Sequence, residues 1–315
     1  MKHNLKNMHQ KTIEKAKNHL FSGELVIFPT ETVYGIGGNA HNQKSVELIY
    51  KTKNRPFNNP LICHFATIEE IEKNFILKDK DYELANAFWP GPMTLILEKN
   101  KESKITSLLS NHQNLVGCRI PNNDIALKLL SQLDFPLAAP SANIATKTSI
   151  TSIRDLDNNL KNIFYIDGGS SVLGLESTVL KTNKKGCDIL RLGSLTVEQI
   201  KKQFKDYFVE IISSNFSPGS QKKHYSPNKK IRINASDVKE NEALLNFGQN
   251  NLTSDIKSLN LSINSDLIEA SHNFYNYINI LDQTECNTIA VVPIPNHGLG
   301  KTINDRLKRA SHNDE

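Results

Sequence analysis

Short apolar runs rich in β-branched residues alternate with stretches of helical periodicity from residue 13 to residue 205. Ile13, Ala16, Lys17 and Leu20 share one face of a first helix, which Gly23 stops. Strands are predicted at 25–29, 60–65, 93–97, 136–139, 164–167, 177–180 and 188–192. Helices are predicted over 45–53, 68–75, 82–89 and 125–133. A further helix, 196–204, opens on TVEQ, a capping box with Thr196 as N-cap and Gln199 three residues on. The fold class is therefore α/β, and the strands of the second half that lack an intervening helix argue for a mixed sheet.

The pattern breaks at residues 213–230, SSNFSPGSQKKHYSPNKK, a polar run with two prolines that reads as a linker. Beyond it, strands at 231–233, 243–247 and 288–293 and helices at 267–281 and 303–310 describe a small second α/β domain. The organisation is a first domain over 1–212, a linker over 213–230 and a second domain over 231–315. Residues 249–265 match no recognisable element.

Charge sharpens this division. Residues 1–230 hold 31 basic and 22 acidic side chains, a balance of +9, whereas residues 231–315 hold 7 and 11, a balance of −4. An anionic ligand belongs on the first part, although the basic excess is too thin to demand nucleic acid. No apolar run approaches the roughly 18 residues of a membrane span, and the charged N-terminus lacks the apolar core of a signal peptide. Cys63, Cys118, Cys187 and Cys286 are scattered and form no CxxC pair, so each reads as a small buried hydrophobe, in keeping with a reducing cytoplasm.

Candidate chemistry concentrates in residues 51–64, KTKNRPFNNPLICH. Lys51, Lys53 and Arg55 precede two prolines that hold a polar loop, an arrangement that suits a polyanion or, equally, the solvated end of a helix. Four further stretches stand beside it. FPTETVYGIGG (28–38) reads as a strand running into a glycine turn, and FWPGPMTLIL (88–97) as a rigid turn before a buried strand, with Trp89 structural. AAPSANIATKTS (138–149) sets Ser141 and Asn143 just after an apolar strand, where ligand crevices of α/β sheets lie. GGSSVLGLESTV (168–179) is a second hydroxyl-rich loop entering a strand. No Ser/His/Asp or Cys/His constellation accompanies them.

Together, Lys53-x-Arg55, Ser141-x-Asn143, PTETVYG, FWPGPMT, the RIP of residues 119–121 and ESTV resemble the YrdC fold family. The linker KHYSP (223–227) and the C-terminal GLGKTINDRLKRA (298–310) extend the resemblance to the two-domain threonylcarbamoyl-AMP synthases. It implies a twisted mixed-sheet YrdC-like domain, a linker folding over the active site, and a small Rossmann-like α/β domain. It also implies synthesis of L-threonylcarbamoyl-AMP and pyrophosphate from L-threonine, bicarbonate and ATP, the first step of a tRNA modification beside the anticodon.

Carried over by position, the resemblance assigns Thr32, His64, Arg119, Ala139 and Ser177 to the threonine pocket. It assigns Arg55, Asn59, Leu115, Ser141, Asn143, Ser149, Arg191 and Tyr225 to ATP, with Lys53 and Arg55 as the catalytic cations. Mg²⁺ would arrive with the nucleotide and not at a metal site of the protein's own. The implied partners are a tRNA or a threonylcarbamoyl-transferase complex. The alternative is a non-catalytic module binding double-stranded RNA or tRNA. A hydrogenase-maturation carbamoyl transferase would need zinc-finger cysteines that this chain lacks.

Overall fold

The computed structural model describes residues 2–110, 114–212 and 225–311. The chain opens with α1 (Lys2–Phe21), β1 (Val26–Phe28), β2 (Gly35–Asn39) and α2 (Gln43–Lys53). Next come β3 (Ile62–His64), α3 (Ile68–Glu72), β4 (Phe75–Ile76), α4 (Asp79–Phe88) and β5 (Met93–Lys99). β6 (Leu115–Arg119), α5 (Asp124–Leu130), β7 (Leu137–Ala138) and β8 (Phe164–Tyr165) follow. The first domain ends with β9 (Thr178–Asn183), β10 (Gly186–Arg191), α6 (Val197–Gln203) and β11 (Phe208–Ile211).

These strands form one 11-stranded mixed sheet in the order β11-β10-β9-β5-β6-β3-β7-β2-β1-β8, with β4 paired to β5. Alternation along β1 shows how both faces are covered. Ile27 enters the large core with Val46, Ile49 and Leu84 of α2 and α4, whereas Val26 and Phe28 face Ile13, Leu20 and Leu129 of α1 and α5.

The second domain comprises β12 (Lys230–Arg232), β13 (Glu242–Asn246), β14 (Ser258–Asn260), α7 (Leu267–Asp282), β15 (Thr288–Val291) and α8 (Leu299–Ala310). Its four strands are all parallel, in the order β12-β15-β13-β14. The first sheet thus ends at Ile211 and the second begins at Lys230, on either side of the predicted linker. The linker residues 213–224 lie outside the described residues.

Several expectations change. The glycines of FPTETVYGIGG form strand β2 and not a turn, because the Phe28 ring packs against Gly35 and Gly37: a Cβ on Gly37 would sit 2.8 Å from it. The helix expected over 68–75 stops at Glu72, and Phe75 turns into β4 against Lys99 of β5. β6 was hidden because Gly117 and Cys118 dilute its apolar signal, and β14 because its strand pattern is only three residues long. The terminal helix begins four residues earlier than expected, at Leu299, with Gly298 as N-cap.

The two domains share a polar, tightly fitted contact. Ser271 and His272 of α7 bond the carbonyls of Leu173 and Val172, and Thr302 of α8 bonds the carbonyl of Gly193 at 2.9 Å. The α8 N-terminus meets the first domain's Glu198, which accepts from Gly298 N and pairs with Lys301. Gly174 sits in the closest part of this contact at φ +77, where a Cβ would lie 2.2 Å from the carbonyl oxygen of Ser271. Gly174→Ala is therefore expected to cost about 2–3 kcal/mol through strain and overpacking. Thermal unfolding reads the loss, and an unchanged melting temperature would contradict the close fit.

Candidate active site

A cleft of about 570 Å³, its open mouth included, runs along the first sheet where several strands end. β3 and β6 are parallel neighbours, and their register pairs their last residues, His64 and Arg119. The C-terminal edge of parallel strands is where ligand crevices form. β7 is antiparallel to β3, so it leads away from that edge: Ala139 N bonds the Ile62 carbonyl and Ser141 bridges Gly35. The cleft extends along β3 from His64 toward Pro60, while Ser177 and Arg191 come from the start of β9 and the end of β10.

One end of the cleft is organised around a buried guanidinium. Arg119 is buried, and its Nη1 donates to Thr32 Oγ1 at 2.9 Å while its Nε points to the carbonyl of Gly91 at 3.3 Å. The hydroxyls continue in a directed chain: Thr32 meets Thr30 at 2.8 Å, and Thr30 donates to the carbonyl of Val33 at 2.6 Å. Behind the guanidinium, Glu31 forms a buried ion pair with Arg119 Nη2 at 2.7 Å. The FWPGPMT turn thus has a positioning role through Gly91, and its Trp89 is structural, donating from Nε1 to the carbonyl of Met93.

His64 stands beside Arg119. Burial, with Arg119 adding repulsion, holds its imidazole down at about 3, so it is neutral at physiological pH. Its Nδ1 is buried and finds no hydrogen-bond partner among the described residues. A neutral imidazole nitrogen left open on a polar wall can meet a hydroxyl or an amine.

The other end gathers cations. Arg55 is drawn down to about 10 by burial and Arg191, with Tyr50 and Tyr225 opposing, and so stays charged. Asn59 fixes it by accepting from Nη2 through its side chain at 2.5 Å and from Nε through its carbonyl at 3.0 Å. Arg191 donates to the carbonyl of Ser177 from Nη2 at 2.7 Å and reaches its hydroxyl at 3.2 Å. Tyr225 closes this end, almost fully buried at φ 62.

Among the described residues lining the cleft, Glu176 is the one carboxylate. Burial alone would raise it, but Arg306, Arg191 and hydrogen bonds from Ser149 and Tyr275 outweigh that and hold it at about 2. Arg306 belongs to α8 and Tyr275 to α7, so the second domain reaches the cleft's inner wall.

Of the residues singled out from sequence, Thr32, His64, Arg119, Ala139 and Ser177 line the cleft, as do Arg55, Ser141, Arg191 and Tyr225. Five others are not on its wall. The ammonium of Lys53 is buried and bonds the carbonyls of Ser141 and Asn143, so in this structure it holds that loop. Burial, with Arg55 nearby, pulls it well below the usual lysine range. Asn59 acts on Arg55, and Ser149 donates to Glu176 at 2.6 Å. Asn143 donates to the carbonyls of Ile144 and Lys147, shaping its own turn. Leu115 pairs with Glu98 at the far end of β6, opposite the strand end that carries Arg119. The residues that sequence reasoning missed are Glu176, Tyr275 and Arg306; the first and last stood inside quoted motifs, but only their contact reveals a role.

An unfolded chain takes up a proton at His64 near 6.5 and at Glu176 near 4.5, whereas the folded protein resists the first until about 3 and the second until about 2. The unfolded state therefore binds more protons across this range, and stability is lost as pH falls below 6.5, more steeply below 4.5. Urea-unfolding midpoints are expected to decline accordingly between pH 7.5 and pH 4; a flat profile would contradict both assignments.

The chain is similar to known proteins over nearly its whole length. The Sua5/YciO/YrdC family model, described as telomere recombination, matches residues 18–193, and that of the threonylcarbamoyl-AMP synthase C-terminal domain matches residues 195–312. The threonylcarbamoyl-AMP synthase of Pyrococcus abyssi is 31% identical over 95% of this chain and 94% of its own length. That of Bacillus subtilis is 32% identical over 95% of this chain and 92% of its own. The crystal structure of P. abyssi Sua5 complexed with L-threonine superposes with a TM-score of 0.82 at 29% identity, covering 95% of this chain and 94% of that one.

Proposed function

The chain is an enzyme of the threonylcarbamoyl-AMP synthase family in its two-domain form, and from that premise we propose that its cleft joins L-threonine, bicarbonate and ATP. The products are L-threonylcarbamoyl-AMP and pyrophosphate. The observation that carries this reading is the division of one cleft into two ends. Arg119, Thr32 and neutral His64 make a small polar end, and Arg55, Arg191 and Tyr225 make a cationic one.

At the first end, the Arg119 fork takes the threonine carboxylate, with Glu31 holding the guanidinium in place. Thr32 and the open nitrogen of His64 are hydrogen-bonding groups for the amino acid's hydroxyl and amine. The amine takes up bicarbonate with loss of water, giving a carbamate. A carbamate oxygen then attacks the α-phosphorus of ATP, and the bond from that phosphorus to the bridging oxygen breaks to release pyrophosphate. Such chemistry needs alignment and charge neutralisation more than a protein nucleophile.

Arg55 and Arg191 supply the charge at the phosphate end, while Lys53 and Asn143 hold the Ser141 loop that bounds it. Mg²⁺ enters with the phosphates; among the described residues no His, Cys, Asp and Glu cluster has the makings of a metal site. Tyr225 sits where a base or ribose would be covered, so the 225–230 segment serves as a lid that keeps water from the carbamate.

Among the described residues no helix is long and apolar enough to cross a membrane, and the setting we infer is the cytoplasm, where a transferase would pass the threonylcarbamoyl group to tRNA. The non-catalytic RNA-binding alternative has no comparable support, since the relatives named above are synthases.

Pyrophosphate release from ATP is expected to require both threonine and bicarbonate, and serine is expected to substitute poorly. Tyr225→Ala is expected to raise the KM for ATP about tenfold, the scale of one lost aromatic stack, with the fold retained. Release that ignores threonine, or unchanged ATP kinetics in that variant, would contradict the respective assignment.

A further inference from the structure

Arg306 is the largest fully buried side chain among the described residues. A guanidinium is rarely taken out of water unless each of its edges is answered. Nε donates to Glu176 Oε2 at 3.0 Å, Nη2 to the carbonyl of Leu192 at 2.6 Å, and Nη1 to Asp305 Oδ2 at 2.5 Å. Its face lies 4.5 Å from the centre of the Tyr225 ring.

Only Asp305 of these partners is local to α8. Each of the others adjoins the cationic end of the cleft. Glu176 is part of its wall, and its second oxygen holds the Ser149 hydroxyl at 2.6 Å and the Tyr275 hydroxyl at 2.8 Å. Leu192 directly follows Arg191, and Tyr225 is itself part of the wall. An apolar pair of similar volume would join two domains as well as a buried ion pair does. The charge has a different use here. It cancels Glu176 beside a pocket meant for a polyanion, and it draws the Tyr225 ring against the second domain in a left-handed backbone conformation.

We propose that Arg306 is a positioning residue of the nucleotide site, through which the second domain presents Tyr225 to ATP and neutralises Glu176. This rests on the reading of the cleft as the site where threonine and ATP meet, and it gives the second domain a part in ATP binding. Of the residues assigned to threonine, Thr32, His64, Arg119 and Ala139 touch neither Arg306 nor Glu176 in the contacts described, and Ser177 is held by Arg191, so threonine affinity is the internal control.

The decisive protein is the full chain carrying both Arg306→Met and Glu176→Gln. Removing both charges takes out the buried pair together, Asp305 keeps Arg309, and Arg191 keeps its bonds to Ser177, so the domain contact is expected to survive. Calorimetry is expected to give threonine affinity within about twofold of wild type, and pyrophosphate release a KM for ATP raised about tenfold, the scale of a desolvated cation–π contact. Adding Tyr225→Ala is expected to raise that KM no further than Tyr225→Ala alone, because both changes remove one interaction. A double variant with the wild-type KM for ATP overturns the inference, leaving Arg306 a structural strut.

Should that protein not fold, Arg306→Lys keeps a charge against Glu176 but loses the planar stack, and a KM for ATP within twofold of wild type overturns the inference equally. The failure of the underlying reading looks different: wild-type protein would then release no threonine-dependent pyrophosphate.

Discussion

One buried ion pair, Glu176 with Arg306, ties the second domain to the chemistry of the first. The carboxylate sits on the loop that leads into β9, and the guanidinium sits in the last helix, 130 residues later. Breaking one side of such a pair costs about 3–5 kcal/mol, since the other charge is left in a dry contact. Around it the arrangement is fully engaged. Ser149 and Tyr275 fill the second carboxylate oxygen, Leu192 answers the guanidinium, and Tyr225 covers its face. Movement of α8 would therefore disturb a cleft wall, the strand end bearing Arg191 and the aromatic cover together.

The sheet explains why two unlike ligands can meet on this surface. Register puts His64 and Arg119 side by side at the ends of β3 and β6, and antiparallel β7 carries Ala139 and Ser141 toward the start of β3, so the cleft runs along that strand. Burial makes the histidine neutral, and the arginine beside it pairs with the carboxylate of Glu31. Recognition and positioning are divided between layers. Asn59 acts on Arg55, Glu31 on Arg119, and Lys53 on the loop of Ser141 and Asn143.

That division marks how far the site could be read in the chain. Wall residues such as Arg119 and Ser141 were legible through the motifs of the family resemblance, since β6, which ends on Arg119, gave no strand signal of its own. Lys53 and Arg55 look equivalent in sequence but take different places in the structure. The left-handed cap at Asn54, with φ 51, reverses the chain between them, sending Arg55 into the cleft and Lys53 behind it. β2 was obscured because glycines signal a turn unless an aromatic ring, here Phe28, needs the space. Tyr275 and Arg306 were out of reach for a different reason: their significance lies in contacts across domains, and nothing local to helices α7 and α8 distinguishes them from structural residues.

The central claim is that nucleotide binding engages both domains while threonine binding engages one. Hydrogen–deuterium exchange with a non-hydrolysable ATP analogue tests it directly. The account predicts added protection in the 225–230 segment and in α8 as well as around Ser141 and Arg191, with threonine alone protecting only the first domain. Protection by the analogue confined to the first domain would contradict it.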